Sequence, residues 1–245
     1  FFDERGDLLA LRSDMTIPIA RLVATRCQDR EPPFRFSYAG SAYRAISPQR
    51  GQMREFTQVG VELLGAPAPE GTAEVVRVLC AALDAAGLSR AVIGLGDADL
   101  YRQLLAELGV EDEARARVLD RLAMHDLVGL EAEVDAVEGL DQSGRETLLT
   151  LPGMRGGREV LDRARDLGGK AVETATSRVQ ATYEALGDIA GRVQLDLGLL
   201  RDLGYYSGAI LEVYDPALGH VLGGGGRYDG LMGRFGSDLP AAGFA

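Results

Sequence analysis

The chain has 245 residues, 46% of them hydrophobic, which is enough for one sizeable core, and it contains no run of about 18 apolar residues that would span a membrane. Its formal charge of −11 excludes a chain whose main task is to grip a phosphate backbone. Cys27 and Cys80 lie far apart and His125 and His220 stand alone, so no metal-ligand spacing exists, and two free thiols fit a reducing cytoplasm. The sequence opens on Phe1 and closes on Gly243-Phe244-Ala245, an apolar stretch with no cap after it, so both ends read as cut.

In chain order, Gly6-Asp7 reads as a turn and Leu8 to Leu11 as a short buried strand. Asp14 precedes a helix expected over Met15 to Val23, with Pro18 in the first turn, where no amide donor is needed. Asp14 is either the cap of that helix or a carboxylate facing a cleft. Phe34 to Tyr38 alternates, Ala39-Gly40-Ser41 reads as a turn, and Ala42 to Ile46 as strand again. A polar loop over Ser47 to Met53 leads into a strand over Phe56 to Leu64. On that strand Thr57, Val59, Val61 and Leu63 share one face, and Gln58, Gly60 and Glu62 the other. The second face is either solvated or the floor of a ligand site; glycine in mid-strand often marks close approach by a ligand or another backbone.

Thr72 is expected to cap a helix running to Ala86 that Gly87 ends. Ala91 to Leu95 reads as strand, and Asp97 as the cap of a helix over Ala98 to Leu108. Residues 109–192 carry charged, amphipathic spacing, as at Val118, Leu119 and Leu122, and read as a helical insert between two halves of a sheet domain. Strand character returns at Val193 to Leu197, Gly208 to Tyr214 and His220 to Gly223.

Arg201 to Gly230 is the stretch densest in features that packing alone does not require. Gly223 to Gly226 fit neither a dinucleotide fingerprint in a βαβ frame nor a P-loop, which needs a Lys-Ser/Thr pair. They form either a flexible loop or a backbone passing close beneath a small ligand. Arg227-Tyr228-Asp229 then supplies an anchor and a cap for a helix over Gly230 to Phe235. Tyr205 and Tyr206 either edge the core or line a polar-aromatic pocket. An ammonium group needs two or three acceptors, at least one charged, and Asp14, Gln58 and Glu62 provide them. Arg44 and Arg201 suit a carboxylate or a phosphate. The set describes a site for an amino acid, with or without a nucleotide beside it.

These segments resemble the class II aminoacyl-tRNA synthetase core of the histidyl-tRNA synthetase family, which includes the regulatory subunit of ATP phosphoribosyltransferase as a paralogue. Leu11 to Arg21 (LRSDMTIPIAR) resembles the family's Leu-Arg-Pro-Glu/Asp-x-Thr segment, and Ala42 to Gly65 resembles class II motif 2. Arg201 to Tyr214 resembles the Arg-Gly-Leu-Asp-Tyr-Tyr signature, and Gly224 to Leu231 the next histidyl signature; Pro240 to Ala245 looks like the entry to motif 3. The resemblance covers roughly residues 1–108 and 170–245. It implies an α+β fold: a class II antiparallel sheet flanked by helices, with a helical insertion at about 109–192. It implies that Asp14, Thr16, Gln58 and Glu62 hold the amino group of histidine, that Tyr205 and Tyr206 line its imidazole above Gly224, and that Arg44 and Arg201 are a nucleotide- or anion-binding remnant.

The departures from the enzyme pattern divide the family's two branches. Ile46 stands where synthetases carry a glutamate two residues after the motif 2 arginine, Gly204 where they carry the aspartate before the tyrosine pair, and Thr57 where they carry a histidine. The resemblance therefore implies a protein that senses histidine without activating it. It would have no catalytic residue, metal or cofactor, and would be a cytoplasmic dimer partnered by the catalytic subunit of ATP phosphoribosyltransferase, without tRNA or membrane. Retention of Arg44 and Arg201 keeps histidine activation with ATP as the alternative.

Overall fold

The computed structural model describes residues 1–45, 53–201, 204–218 and 220–245. Position 46 and all but Met53 of the loop expected over Ser47 to Met53 lie outside the described residues. Eight strands form one sheet among those described: β1 (Phe34–Tyr43), β2 (Glu55–Leu64), β3 (Val92–Asp97), β4 (Arg155–Gly156), β5 (Val193–Asp196), β6 (Ala209–Tyr214), β7 (Val221–Arg227) and β8 (Ala241–Phe244). Their order is β1-β2-β8-β7-β6-β3-β5-β4. Neighbours pair antiparallel except β3 and β5, which run parallel. Helices α1 (Thr16–Arg26), α2 (Glu70–Ala85), α3 (Leu100–Glu107), α4 (Asp112–Ala123), α5 (Leu127–Asp135), α6 (Gln142–Thr150), α7 (Glu159–Asp166), α8 (Lys170–Leu186) and α9 (Asp229–Gly233) surround it.

Strand alternation sends side chains to two separate cores. Leu63, Ile93, Leu95, Leu211 and Val213 point to one face, where they pack with Val76 and Leu79 of α2, Leu104 of α3 and Val172 and Val179 of α8. Their sequence neighbours Leu64 and Ile210 point to the other face, with Ile19 and Val23 of α1 and Leu231 and Met232 of α9. Each fully buried aliphatic side chain contributes about 1.5–3 kcal/mol relative to exposure. Val118, Leu122, Leu130, Val134 and Leu148 of α4 to α6 join the first core, so the helices between α3 and α8 are continuous with it.

Several sequence expectations are corrected here. Ala39-Gly40-Ser41 does not turn: β1 runs through it, because all ten of its residues find partners in β2, from Phe34 opposite Leu64 to Tyr43 opposite Glu55. A complete ladder overrides local turn chemistry. Leu8 to Leu11 is not a buried strand; Leu8 is 75% exposed and makes only an isolated bridge with Phe2. Thr72 does not cap α2. It sits buried inside the first turns, where its Oγ1 accepts from Arg227 Nη1 at 3.2 Å. Gly223 to Gly226 are the interior of β7, not a loop. The stretch expected as helical over residues 109–192 also contains β4, and α8 packs against the central sheet.

Asp97 does not cap α3 either. Its side chain is fully buried at the end of β3 and forms a bidentate pair with Arg178 of α8, Nε to Oδ2 at 2.8 Å and Nη2 to Oδ1 at 2.7 Å. Burial pushes the Asp97 carboxyl above the usual carboxylate range, against the pull of Arg178. Removing the cation leaves a buried charge with the Asp99 N–H, at 3.0 Å, as its remaining donor among the described residues. Arg178→Ala is therefore expected to cost about 2–4 kcal/mol in urea unfolding. Arg35→Ala, which breaks the exposed Arg35–Glu74 pair (2.5 Å, 58% and 39% exposed), is expected to leave the unfolding midpoint nearly unchanged in the same assay.

Candidate functional site

The site is assembled where the start of α1 meets β2. Met15 N–H donates to Gln58 Oε1 at 2.9 Å, and Thr16 Oγ1, at the first helical residue, donates to Glu62 Oε1 at 2.6 Å. The alternation of β2 makes both contacts possible, because Gln58, Gly60 and Glu62 face inward while Thr57 and Val59 face solvent. This face is turned inward rather than solvated. Asp14 fills both roles proposed for it. Its Oδ1 accepts from Ile17 N–H at 3.0 Å, as a helix cap does, while the residue lines the cavity.

Glu62 is 2% exposed, and its second oxygen accepts from the Tyr228 hydroxyl. Desolvation pushes its carboxyl up to about 7; hydrogen bonds from Thr16 and Tyr228 pull it down, and the charge of Asp14 raises it further. It lies under the floor rather than in the wall, against Gly243 of β8, where a Cβ would overlap Glu62 Oε2. The hydroxyls of Thr16 and Tyr228 stand between this carboxylate and the cavity.

The opposite wall comes from the segment before β6 and from β7. Tyr205 and Tyr206 pack with their rings tilted by 50° and centroids 5.0 Å apart, and Tyr205 meets Tyr228 edge-on at 6.0 Å. Burial pushes the hydroxyls of Tyr205 and Tyr206 above their ordinary range, so both stay protonated donors. The Arg201 guanidinium lies flat on Gly224; any Cβ there would overlap Nη1 and sit 2.8 Å from the carbonyl of Leu211. That contact requires the glycine. Among the described residues Nη1 is buried without a hydrogen-bond partner. Arg44 sits over the Phe56 ring at 4.9 Å from its centroid, a cation–π contact that holds a largely exposed side chain over the rim.

One cavity therefore unites Asp14, Thr16, Arg44 and Gln58 with Arg201, Tyr205, Tyr206 and Gly224. Of the candidate residues, Glu62 alone stays beneath it. The Asp14 carboxylate and the Thr16 and Tyr228 hydroxyls line it together with the Arg44 and Arg201 guanidinium groups. The first groups suit an ammonium group and the second a carboxylate, the two charges of a zwitterion. A more apolar groove between β1–β2 and α2 is lined by Phe36, Val61, Val75 and Val78, and the charged side chains at its edge, Arg35 and Glu74, are paired with each other. Among the described residues no group of three or more His, Cys, Asp or Glu side chains is placed to hold a metal ion.

Sequence reasoning assigned Tyr228 only to anchoring and capping. Counting by twos along β7 finds it, since Gly224, Gly226 and Tyr228 have the same parity and so share a face. Tyr38, whose buried hydroxyl has no partner, and Gly243 were also missed. Arg227, from the same triplet, faces away from the cavity. It is 2% exposed and reaches Thr72, the Ala66 carbonyl at 3.3 Å and Asp229 at 2.6 Å.

Over residues 1–245 the chain matches the family model described as histidyl-tRNA synthetase. It is similar to an ATP phosphoribosyltransferase regulatory subunit of Moorella thermoacetica, with 43% identity over 249 residues, covering 100% of this chain and 64% of that protein. Among solved structures it is similar to an ATP phosphoribosyltransferase regulatory subunit/histidyl-tRNA synthetase from Bacillus halodurans, with a TM-score of 0.89, 35% identity and coverage of 100% of this chain and 64% of that one. It is also similar to a histidine–tRNA ligase subunit from Alicyclobacillus acidocaldarius, with a TM-score of 0.80, 33% identity and coverage of 100% and 76%. The chain thus spans less than two thirds of the Moorella relative.

The raised Glu62 carboxyl gives the empty site a pH signature. Between the ordinary carboxylate value of 4.5 and about 7 the folded protein holds a proton that the unfolded chain has released. The resulting stability is fully present below 4.5 and is lost as pH rises through about 7. Scanning calorimetry of the unliganded protein is expected to show a melting temperature that falls from pH 5 to pH 8. Glu62→Gln should flatten that fall and stabilise the protein at pH 8 by up to about 3 kcal/mol.

Proposed function

The chain belongs to the histidyl-tRNA synthetase family, and from that premise we propose that it is a non-catalytic regulatory subunit. It binds and activates short-form ATP phosphoribosyltransferase and carries feedback by histidine. The observation that carries this reading is the asymmetry of the cavity, supported by 43% identity to a regulatory subunit. The groups suited to an amino acid are held by packed partners: Asp14 by Ile17, Gln58 by Met15, and Glu62 by Thr16 and Tyr228. The position where family enzymes carry an aspartate is Gly204, at φ +65° with nothing within 4 Å of where a Cβ would be, so no carboxylate is offered there.

In this reading the ammonium group of histidine sits among Asp14, Thr16 and Gln58, and its carboxylate meets Arg201 or Arg44. The imidazole lies against Tyr205 and Tyr206 above Gly224. Glu62, reached past the Thr16 and Tyr228 hydroxyls, supplies the buried negative charge. The subunit performs no chemistry; its contribution is coupling between sites, typically about 1–3 kcal/mol. Exposed Phe1, Phe2, Leu8 and Leu11 support self-association as a dimer. The charge of −11 favours a protein partner over tRNA, and no helix is long and apolar enough to cross a membrane. A cytoplasmic location and the role of residues 109–192 as an insert follow from the same reading.

A second reading, histidyl-tRNA synthetase, is favoured by Arg44 and Arg201 lining one cavity and by kinship to a histidine–tRNA ligase subunit. Mixing the protein with a short-form catalytic subunit is expected to raise phosphoribosyl transfer, with histidine reversing the gain. Histidine-dependent pyrophosphate–ATP exchange should be absent; robust exchange sinks the regulatory reading. Calorimetric titration should show that Glu62→Ala loses histidine binding while circular dichroism confirms a folded chain. An unchanged affinity rejects the pocket assignment.

A further inference from the structure

Glu212 of β6 stands between two glycines. It lies opposite Gly224 of β7 on one side and Gly94 of β3 on the other. Residues directly opposite in a ladder share a face, with Cβ positions about 4.5–5.5 Å apart. The space over Gly224 is taken by the Arg201 guanidinium, and the space over Gly94 by Leu199 and the edge of the Tyr214 ring. The carboxylate thus has a cation on one flank and a phenol on the other, and the phenol engages it: Glu212 Oε2 accepts from the Tyr214 hydroxyl. Among the described residues no ion pair joins Glu212 to Arg201, whose Nη1 has no acceptor. Burial pushes the Glu212 carboxyl up; the charges of Arg201, His125 and Arg155 draw it back, and Asp196 opposes them. Arg155 is itself committed to Asp196, Nε to Oδ2 at 2.8 Å, and His125 is exposed at the turn between α4 and α5. Arg201 and Tyr214 are therefore the two donors that Glu212 can choose between.

We propose that Tyr214 is a positioning residue for ligand binding: by holding Glu212, it keeps the Arg201 guanidinium open to the carboxylate of the amino acid. This inference rests on the amino-acid reading of the cavity and names what keeps its anion-binding group from being neutralised within the protein. A guanidinium this close to an uncommitted carboxylate pairs with it, and an incoming ligand then has to displace that partner. The Tyr214 hydroxyl occupies the competitor without adding a charge. Neither Tyr214 nor Glu212 lines the amino-acid cavity, and Tyr214 faces a separate groove with Gln194 and Arg155, so direct contact with the ligand does not account for the effect.

Calorimetric titration of the whole chain tests this with histidine and with histamine, which lacks the carboxylate. Tyr214→Phe removes only the hydroxyl. It is expected to weaken histidine binding about two- to five-fold, the range of a solvent-accessible ion pair, and to leave histamine affinity unchanged. Glu212→Gln removes the competitor, so it should bind histidine at least as tightly as the native protein, and adding Tyr214→Phe to it should cost nothing further. General damage to the fold weakens both ligands alike and is not rescued by Glu212→Gln; that rescue decides the matter independently of histamine. Equal histidine affinity in the native protein and Tyr214→Phe overturns the proposal, as does a loss that persists in the Glu212→Gln background. Weaker histidine binding by Glu212→Gln alone also overturns it, since Glu212 then supports Arg201 instead of competing for it. If the native protein binds no histidine at all, the amino-acid reading fails and this inference fails with it.

Discussion

The constraint on which the site depends is a carboxylate with almost no water. Glu62 is solvated by two hydroxyls from distant parts of the chain, Thr16 at the head of α1 and Tyr228 at the foot of β7. Neither hydroxyl can leave without exposing a buried charge to a medium that cannot solvate it. The start of α1 is therefore fixed on β2, and the end of β7 is fixed on both. Gln58 repeats the tie one residue earlier on the helix and four earlier on the strand. The residues suited to an ammonium group are positioned because the fold has to satisfy Glu62.

Glycine does the complementary work. Gly224 gives its side-chain space to Arg201, Gly243 gives its space to Glu62, and Gly60 lies beside the Tyr38 ring. A floor built this way admits charged and aromatic groups at backbone level, where ordinary side chains would hold them farther out. Arg201 and Glu62 each rest on a strand position that presents no competing side chain.

The fold class and the residues lining the cavity were legible in the sequence; several individual elements were not. The period of two along β2 placed Gln58, Gly60 and Glu62 on one face, and the family signatures pointed to Arg201, Tyr205, Tyr206 and Gly224; all but Glu62 of the chosen side chains meet in one cavity. What misled was local chemistry overruled by distant partners. Ala39-Gly40-Ser41 has turn composition but is held straight by β2, and the glycine run has loop composition but is held as strand by β6 on one side and β8 on the other. Asp97 looks like a cap because its sequence neighbours are helical; its true partner, Arg178, is far along the chain. Propensity reports on neighbours in sequence, and each of these positions answers to neighbours in space.

The strand order carries one more consequence. β8 lies between β2 and β7, so that Leu64 pairs with Ala241 and Gly226 with Gly243. Until residues 241–244 arrive, β2 and β7 each present a row of unpaired amides and carbonyls, the kind of edge that recruits other chains. Closure across so long a loop is slow, because its entropy is spent before any contact rewards it. During synthesis the first two strands are complete long before their central partner emerges. A growing chain of this topology is thus most prone to aggregation just before its candidate cavity acquires a floor, and late assembly of the sheet and late assembly of the cavity are one event.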